Sequence, residues 1–123
     1  MNLLIIDDEI ALVESLSKYL QKHGYQIKIA YNGQEGLELF LKEPQNTHLI
    51  LMDLQTPLLH GLAFLKQIRE KQFNVPVILM SGYIDENSQE EAQKLGVIEC
   101  LLKPFKLAQL KSALEKNAPS DIS

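Results

Sequence analysis

Four polar stations interrupt the apolar patterning of this 123-residue chain: Asp7-Asp8-Glu9, Asp53, Ser81 and Lys103. Each stands directly after an apolar run, namely Leu3-Leu4-Ile5-Ile6, Leu49-Ile50-Leu51-Met52, Val75 to Met80, and Ile98 to Leu102. A single such residue is unremarkable, because strands must end and Asp caps helices well. If the four ends converge, three carboxylates (Asp7, Asp8, Asp53), a hydroxyl and an ammonium share one rim. Three ionised carboxylates repel one another, so at least one pKa must rise unless a cation joins them. Lys103 supplies one positive charge, and a divalent ion would bring the sum to zero. All-oxygen ligands at a partly hydrated site favour Mg²⁺ or Mn²⁺ over zinc. Such a rim can accept a phosphoryl group, whose oxygens need a metal, an ammonium and hydrogen-bond donors. Asp53 is then the candidate nucleophile, since a carboxylate can hold a phosphoryl group as an acyl phosphate.

The elements that must position these residues follow from hydrophobic period. Five short apolar runs, the four above plus Ile27 to Ala30, have strand length, and most read as buried on both faces. That is the pattern of a parallel sheet covered by helices. Between them lie segments at helical spacing. Leu12, Leu16, Tyr19 and Leu20 precede a stop at Gly24; Gly36 to Glu43 ends before Pro44; Gly61 to Lys71 carries Leu62, Leu65 and Ile68. A more polar segment runs from Asn87 to Leu95, and a last helix from Leu107 to about Lys116. Alternating elements with right-handed crossovers predict an α/β fold, a doubly wound five-stranded parallel sheet with five helices in flavodoxin-like order. In such folds ligands collect at the carboxyl ends of the strands, where the four polar stations fall.

Composition narrows the function classes. Asp plus Glu number 16 against 12 Lys plus Arg, a formal net charge of -4, which argues against a direct nucleic-acid module. One Cys excludes an intrachain disulfide framework and a Cys-based zinc site, and it fits a reducing, cytoplasmic setting. The apolar runs are far below the roughly 20 residues of a membrane span, and the amino terminus has no charged signal-peptide head. The length fits one domain, residues 1–116, followed by a polar tail or linker stump at 117–123.

The four stations, with Pro57 and Gly61 after Asp53, and with Leu102-Lys103-Pro104-Phe105, make the chain similar to the receiver domains of two-component response regulators. The resemblance runs from Asn2 to about Lys116. It implies a signalling switch rather than an enzyme. Asp53 would take a phosphoryl group from a sensor histidine kinase, a histidine phosphotransfer protein or a small phosphodonor. Asp8, Asp53 and the main-chain carbonyl of Gln55 would ligate Mg²⁺, and Asp7 would act mainly through a water. Ser81 and Lys103 would each bind a phosphoryl oxygen, and the Lys103-Pro104 bond would be cis. The partners implied are the phosphodonor, an output domain or protein, and a second copy in a phosphorylation-dependent dimer, through surfaces on the Leu101 or Lys106 side.

Some positions depart from the family. Cys100 stands where a Tyr or Phe is common, so no large ring can rotate from that position. Gln55 and Tyr83 flank the route of water to an acyl phosphate, and Tyr83 is large enough to shield it. Thr56 and His60 replace the more frequent Met and acidic residue. His23 and His48 read as ordinary loop or edge residues, and His60 lies close to Asp53 in sequence without the partners a catalytic base needs. Three other classes compete. Aspartate-nucleophile phosphatases place Asp-x-Asp after the first strand, and flavodoxin-type carriers need a hydroxyl- and glycine-rich loop there. This chain has Asp7-Asp8 instead. A degenerate receiver acting only through protein contacts is disfavoured by the complete set Asp7, Asp8, Asp53, Ser81 and Lys103.

Overall fold

The structure, a computed structural model, describes residues 1–117. Strands and helices alternate along the chain: β1 (Asn2–Ile6), α1 (Ile10–Lys22), β2 (Gln26–Ala30), α2 (Gly33–Lys42), β3 (Leu49–Asp53), α3 (Gly61–Glu70), β4 (Val77–Ser81), α4 (Glu86–Lys94), β5 (Glu99–Leu102) and α5 (Leu107–Asn117), with a 3₁₀ turn at Pro44–Asn46. The sheet is parallel in the order β2-β1-β3-β4-β5, the flavodoxin-like order expected from sequence. The polar tail beyond Asn117 lies outside the described residues, and Asn117 itself closes α5.

Strand alternation sorts the core into two layers. Leu4, Ile6, Ile50, Met52, Val77 and Leu79 face α2, α3 and α4, around Phe40 and Phe64. Leu3, Ile5, Leu49, Leu51, Ile78 and Met80 face α1 and α5, against Val13, Leu16, Leu20, Leu110 and Leu114. Burying each of the larger side chains contributes about 1.5–3 kcal/mol. The three central strands are apolar on both faces because both are covered. The edge strands are not: β2 exposes Gln26 and Lys28, and β5 turns Leu102 outward at 61% exposure while Leu101 is 6% exposed. The expected outward surface on the Leu101 side is therefore presented by Leu102, one residue out of phase.

Several boundaries move for identifiable reasons. β4 begins at Val77 rather than Val75, since Pro76 has no N–H to donate to a ladder. α2 begins at Gly33, a turn earlier than the apolar period indicates, because Asn32 caps it by accepting from Glu35 N–H at 2.8 Å. Glu35 in turn accepts from Tyr31 N–H at 3.0 Å, so polar residues carry the first turn. α4 has one buried residue, Ala92, and is the helix least tied to the core. Arg69 compensates at its end, donating to Leu95 O at 2.6 Å and to Phe73 O at 2.8 Å.

The start of α2 leans on the loop that follows β3. Gly33 N–H donates to Pro57 O at 3.1 Å, and a Cβ on Gly33 would lie 2.0 Å from Leu59 O. A backbone oxygen cannot swing aside as a side chain can. Gly33→Ala is expected to lower stability by about 1–3 kcal/mol, read as a reduced midpoint in urea unfolding. An unchanged midpoint would show that the two segments separate freely.

Candidate functional site

Alternation also decides which polar side chains meet. Asp7 continues the parity of Leu3 and Ile5, Asp53 that of Leu49 and Leu51, and Lys103 that of Leu101, so all three emerge on the α1–α5 side. The ladder carries their backbones to a common level. Asp7 N–H donates to Ala30 O at 3.1 Å, Leu54 N–H to Met80 O at 2.8 Å, and Lys103 N–H to Ser81 O at 2.7 Å. The Lys103-Pro104 peptide is cis, as the resemblance implies.

Lys103 Nζ is the hub. It donates to Asp7 Oδ2 at 2.7 Å, Glu9 Oε1 at 2.9 Å and Asp53 Oδ2 at 3.3 Å, using all three of its donors. The other oxygens of the two aspartates bind backbone two residues on. Asp7 Oδ1 accepts from Glu9 N–H at 2.9 Å, and Asp53 Oδ1 accepts from Gln55 N–H at 3.1 Å. Asp7 and Asp53 are buried and Asp8 is exposed, yet each offers an oxygen to one cluster, with the three atoms within 4.8 Å of one another. That donor set, hard and entirely oxygen, fits a small divalent ion such as Mg²⁺.

The electrostatics agree with a cluster short of positive charge. Burial raises the pKa of Asp7, and the Lys103 hydrogen bond and the Glu9 N–H offset this only in part. Burial by itself would pull the Lys103 ammonium down. Hydrogen bonds to Asp7 and Glu9, with the charges of Asp7 and Asp53, outweigh it and drive the net shift upward. Lys103 is thus held firmly charged.

Ser81 stands apart. It shares the parity of Val77 and Leu79, on the α4 side, and its hydroxyl donates to Tyr83 O at 2.5 Å while accepting from Tyr83 N–H at 3.1 Å. It does not join Lys103 and the carboxylates in the hydrogen-bonded cluster. It lines instead a pocket of about 460 Å³ with Tyr83, Ile84, Gln89 and Cys100. Burial, and then the charge of Glu99, raises the pKa of the Cys100 thiol. On the other side a cleft of about 650 Å³ runs from Asp53 past Glu9, Leu12 and Lys103 to Phe105.

The two unusual residues after Asp53 prove to be architectural. Thr56 Oγ1 donates to Leu59 O at 2.7 Å and closes the loop. His60 caps α3, its Nδ1 accepting from Leu62 N–H at 3.2 Å. His48 Nδ1 accepts from Asn2 N–H at 2.8 Å, and His23 packs on Tyr19. Sequence reasoning assigned no role to Glu9. Counting a fourth acid beside Lys103 was the signal that could have found it.

A five-stranded parallel sheet in this order, with a carboxylate cluster and a lysine at its carboxyl edge, defines a doubly wound α/β domain of the flavodoxin-like class. The chain belongs to the response regulator receiver domain family, whose model matches residues 3–115. It is 36% identical over 120 residues to a transcriptional regulatory protein CpxR homolog of Haemophilus influenzae, covering 94% of this chain and 51% of that protein. It is 31% identical to sporulation initiation phosphotransferase F of Bacillus subtilis, covering 95% of this chain and 93% of that one. The chain thus spans about half the length of the first of these relatives and nearly all of the second. Among solved structures, a receiver domain from Clostridium thermocellum superposes with a TM-score of 0.86 at 27% identity, covering 94% of this chain and 91% of that one. Chemotaxis protein CheY4 of Vibrio cholerae superposes at 0.84 and 26% identity, with 94% and 96% covered.

The raised Asp7 pKa has a consequence for stability. A carboxyl that the fold prefers neutral costs stability where it is ionised. The cost is absent below the unfolded value of about 4 and grows as pH rises through the folded value. Asp7→Asn removes the charge and keeps one oxygen, enough for Lys103 or for the Glu9 N–H but not for both. In metal-free buffer the wild type is expected to lose stability relative to Asp7→Asn as pH rises from about 4 to about 7, read from melting temperatures across that range. A difference between the two that does not change with pH would contradict this.

Proposed function

We propose that the domain is a phosphorylation-dependent switch whose phosphoacceptor is Asp53. The observation that carries the reading is the contact of Lys103 with Asp53 inside a three-aspartate cluster. An Asp53 carboxylate oxygen attacks the phosphorus of a phosphohistidine or a small phosphodonor. The new O–P bond forms as the bond to the donor breaks, and the donor leaves with the electron pair of that bond, as an imidazole or a carboxylate. Asp8, Asp53 and the main-chain carbonyl of Gln55 would hold Mg²⁺, or Mn²⁺, with Asp7 acting mainly through a water. Bound there, the ion supplies positive charge to the carboxylates and to the phosphoryl oxygens. Lys103 keeps its ammonium in place to pair with a phosphoryl oxygen.

Ser81 is the second donor, and it must first release Tyr83 O. That exchange links the phosphoryl group to the 82–85 loop and to α4, the helix with least apolar anchoring. The phosphoryl group adds about -1.5 to -2 charge at pH 7, and each tenfold shift in the population of the active state needs about 1.4 kcal/mol. Charge-assisted bonds from Ser81 and Lys103 supply free energy of that order. In this reading the partners are a sensor histidine kinase or histidine phosphotransfer protein in the cytoplasm, and an output domain or protein. A second copy of the chain could also dock, on the side of exposed Leu102. The only turnover is the chain's own phosphorylation and dephosphorylation.

Intact-mass measurement after incubation with acetyl phosphate and Mg²⁺ tests the reading. Wild type is expected to gain one phosphoryl group, and Asp53→Asn or metal chelation to abolish the gain. A wild type without the adduct would leave only the protein-contact role. Tyr83 bonds Ser81 through its main chain and its side chain is 68% exposed; a ring of that size turned toward Asp53 would screen an acyl phosphate from water. Tyr83→Ala is expected to shorten the phosphoryl half-life severalfold, followed by loss of the adduct after donor removal. An unchanged half-life would remove Tyr83 from that role.

A further inference from the structure

Glu9 breaks a local pattern kept by its counterparts. At the N-termini of α2, α3 and α4 the cap side chains of Asn32, His60 and Asp85 each accept a helix N–H. Glu9 is the N-cap of α1, and its side chain caps nothing. Its carboxylate reaches across to Lys103 Nζ at 2.9 Å, closer than Asp53 at 3.3 Å. The side chain thus forgoes the local bond that its counterparts make and spends its carboxylate on Lys103.

The three partners of Lys103 are not equivalent. Asp7 is fully buried and cannot withdraw, and Asp53 is nearly so. The Glu9 side chain is 60% exposed and can return to water at little cost. Lys103 has three donors and all are in use, so a phosphoryl oxygen competes with the partners already held. Phosphorylation of Asp53 alters the longest of these contacts itself; of the two it leaves in place, Asp7 and Glu9, only Glu9 is exposed enough to let go.

We infer that Glu9 is a positioning residue that holds the Lys103 ammonium on the outer side of the rim and surrenders it to the incoming phosphoryl group. The inference rests on Asp53 being the phosphoacceptor. Lys103 keeps its bond to Asp7 as a pivot, exchanges Glu9 for a phosphoryl oxygen, and never lacks a partner. Glu9 therefore stabilises the unphosphorylated form and slows entry into the phosphorylated one. Its removal also lowers the negative charge met by an anionic donor, so charge and contact must be separated.

Glu9→Asp keeps the charge and, one methylene shorter, loses the contact. Glu9→Gln loses the charge and weakens the contact. Glu14→Gln, on the exposed side of α1, removes a charge elsewhere on the same helix. The rate of adduct formation with acetyl phosphate and Mg²⁺, followed by intact mass, is expected to rise about two- to fivefold in both Glu9 variants, the range set by a partly exposed ion pair. Glu14→Gln should match wild type. The ¹⁵N resonance of Lys103 Nζ in the unphosphorylated, metal-free protein should shift in both Glu9 variants. A Glu9→Asp rate equal to wild type overturns the inference, as does an unshifted Nζ resonance in that variant. If wild type forms no adduct, the phosphoacceptor reading fails and the hand-over with it. The resonance still decides whether Glu9 holds Lys103.

Discussion

One ammonium placed among four carboxylates is the constraint to which the rest of the site answers. Asp7, Asp8, Glu9 and Asp53 bring four carboxyl groups to the carboxyl edge of the sheet, and Lys103 is the one cation among the described residues that bonds three of them, Asp7, Glu9 and Asp53. Like charges at these separations raise one another's pKa unless compensated, and burial adds to the cost at Asp7. Lys103 compensates in part, which is why its own pKa rises in spite of burial. The remaining deficit is one that a divalent cation would relieve. Under the proposed function, a phosphoryl group would meet repulsion at this rim by itself and compensation when it arrives with a cation.

The sheet delivers this arrangement by parity. Three strands ending at one level, with Asp7, Asp53 and Lys103 on the same side of the pleat, bring together residues 46 and 50 positions apart in the chain. A slip of one residue in any strand would send its polar end to the opposite layer and its apolar residues out of their own. The apolar residues of β1, β3 and β4, buried in both layers, therefore fix the register of the site as firmly as they fix the core. The glycines serve the same end. Gly33 lets the start of α2 press against the loop after Asp53, and Gly61 lets α3 begin against Leu54.

Much of this was legible in the residues themselves. Apolar runs of strand length, each closed by a polar residue, announced both the parallel sheet and the rim. Fold rules then placed the rim at the carboxyl edge. What period could not reveal was fixed by hydrogen bonding of polar side chains. The first turn of α2 is carried by Asn32 and Glu35, which leave no apolar mark. The roles of Thr56 and His60 are loop closure and capping, invisible without knowing what faces them. Leu101 and Leu102 are chemically identical, and only strand phase tells the buried one from the exposed one. Glu9 was hidden for a related reason, because an acid after two aspartates at a strand end looks like any helix start.

Ser81 shows how parity divides the carboxyl edge into two sides. On the α1–α5 side the cluster gathers charge. On the α4 side Ser81 is tied to Tyr83 and lines a pocket with Cys100. A hydroxyl cannot donate to Tyr83 O and to a phosphoryl oxygen at once, so a phosphoryl group on Asp53 would compete directly with the turn that shapes the 82–85 loop. Because Cys100 is small, the pocket behind that turn has no ring from β5 to fill it. Release of the turn would then meet little packing resistance, and α4, with Ala92 as its one buried residue, offers little more. The counterweight is Arg69, which grips the far end of α4 through Leu95 O. α4 is thus loosely packed along its length, held at its carboxyl end by Arg69, capped at its amino end by Asp85, and joined there to the turn that Ser81 shapes. Under the proposed function, a phosphoryl group on Asp53 that drew Ser81 away from Tyr83 would act on the surface near Leu102 through that turn.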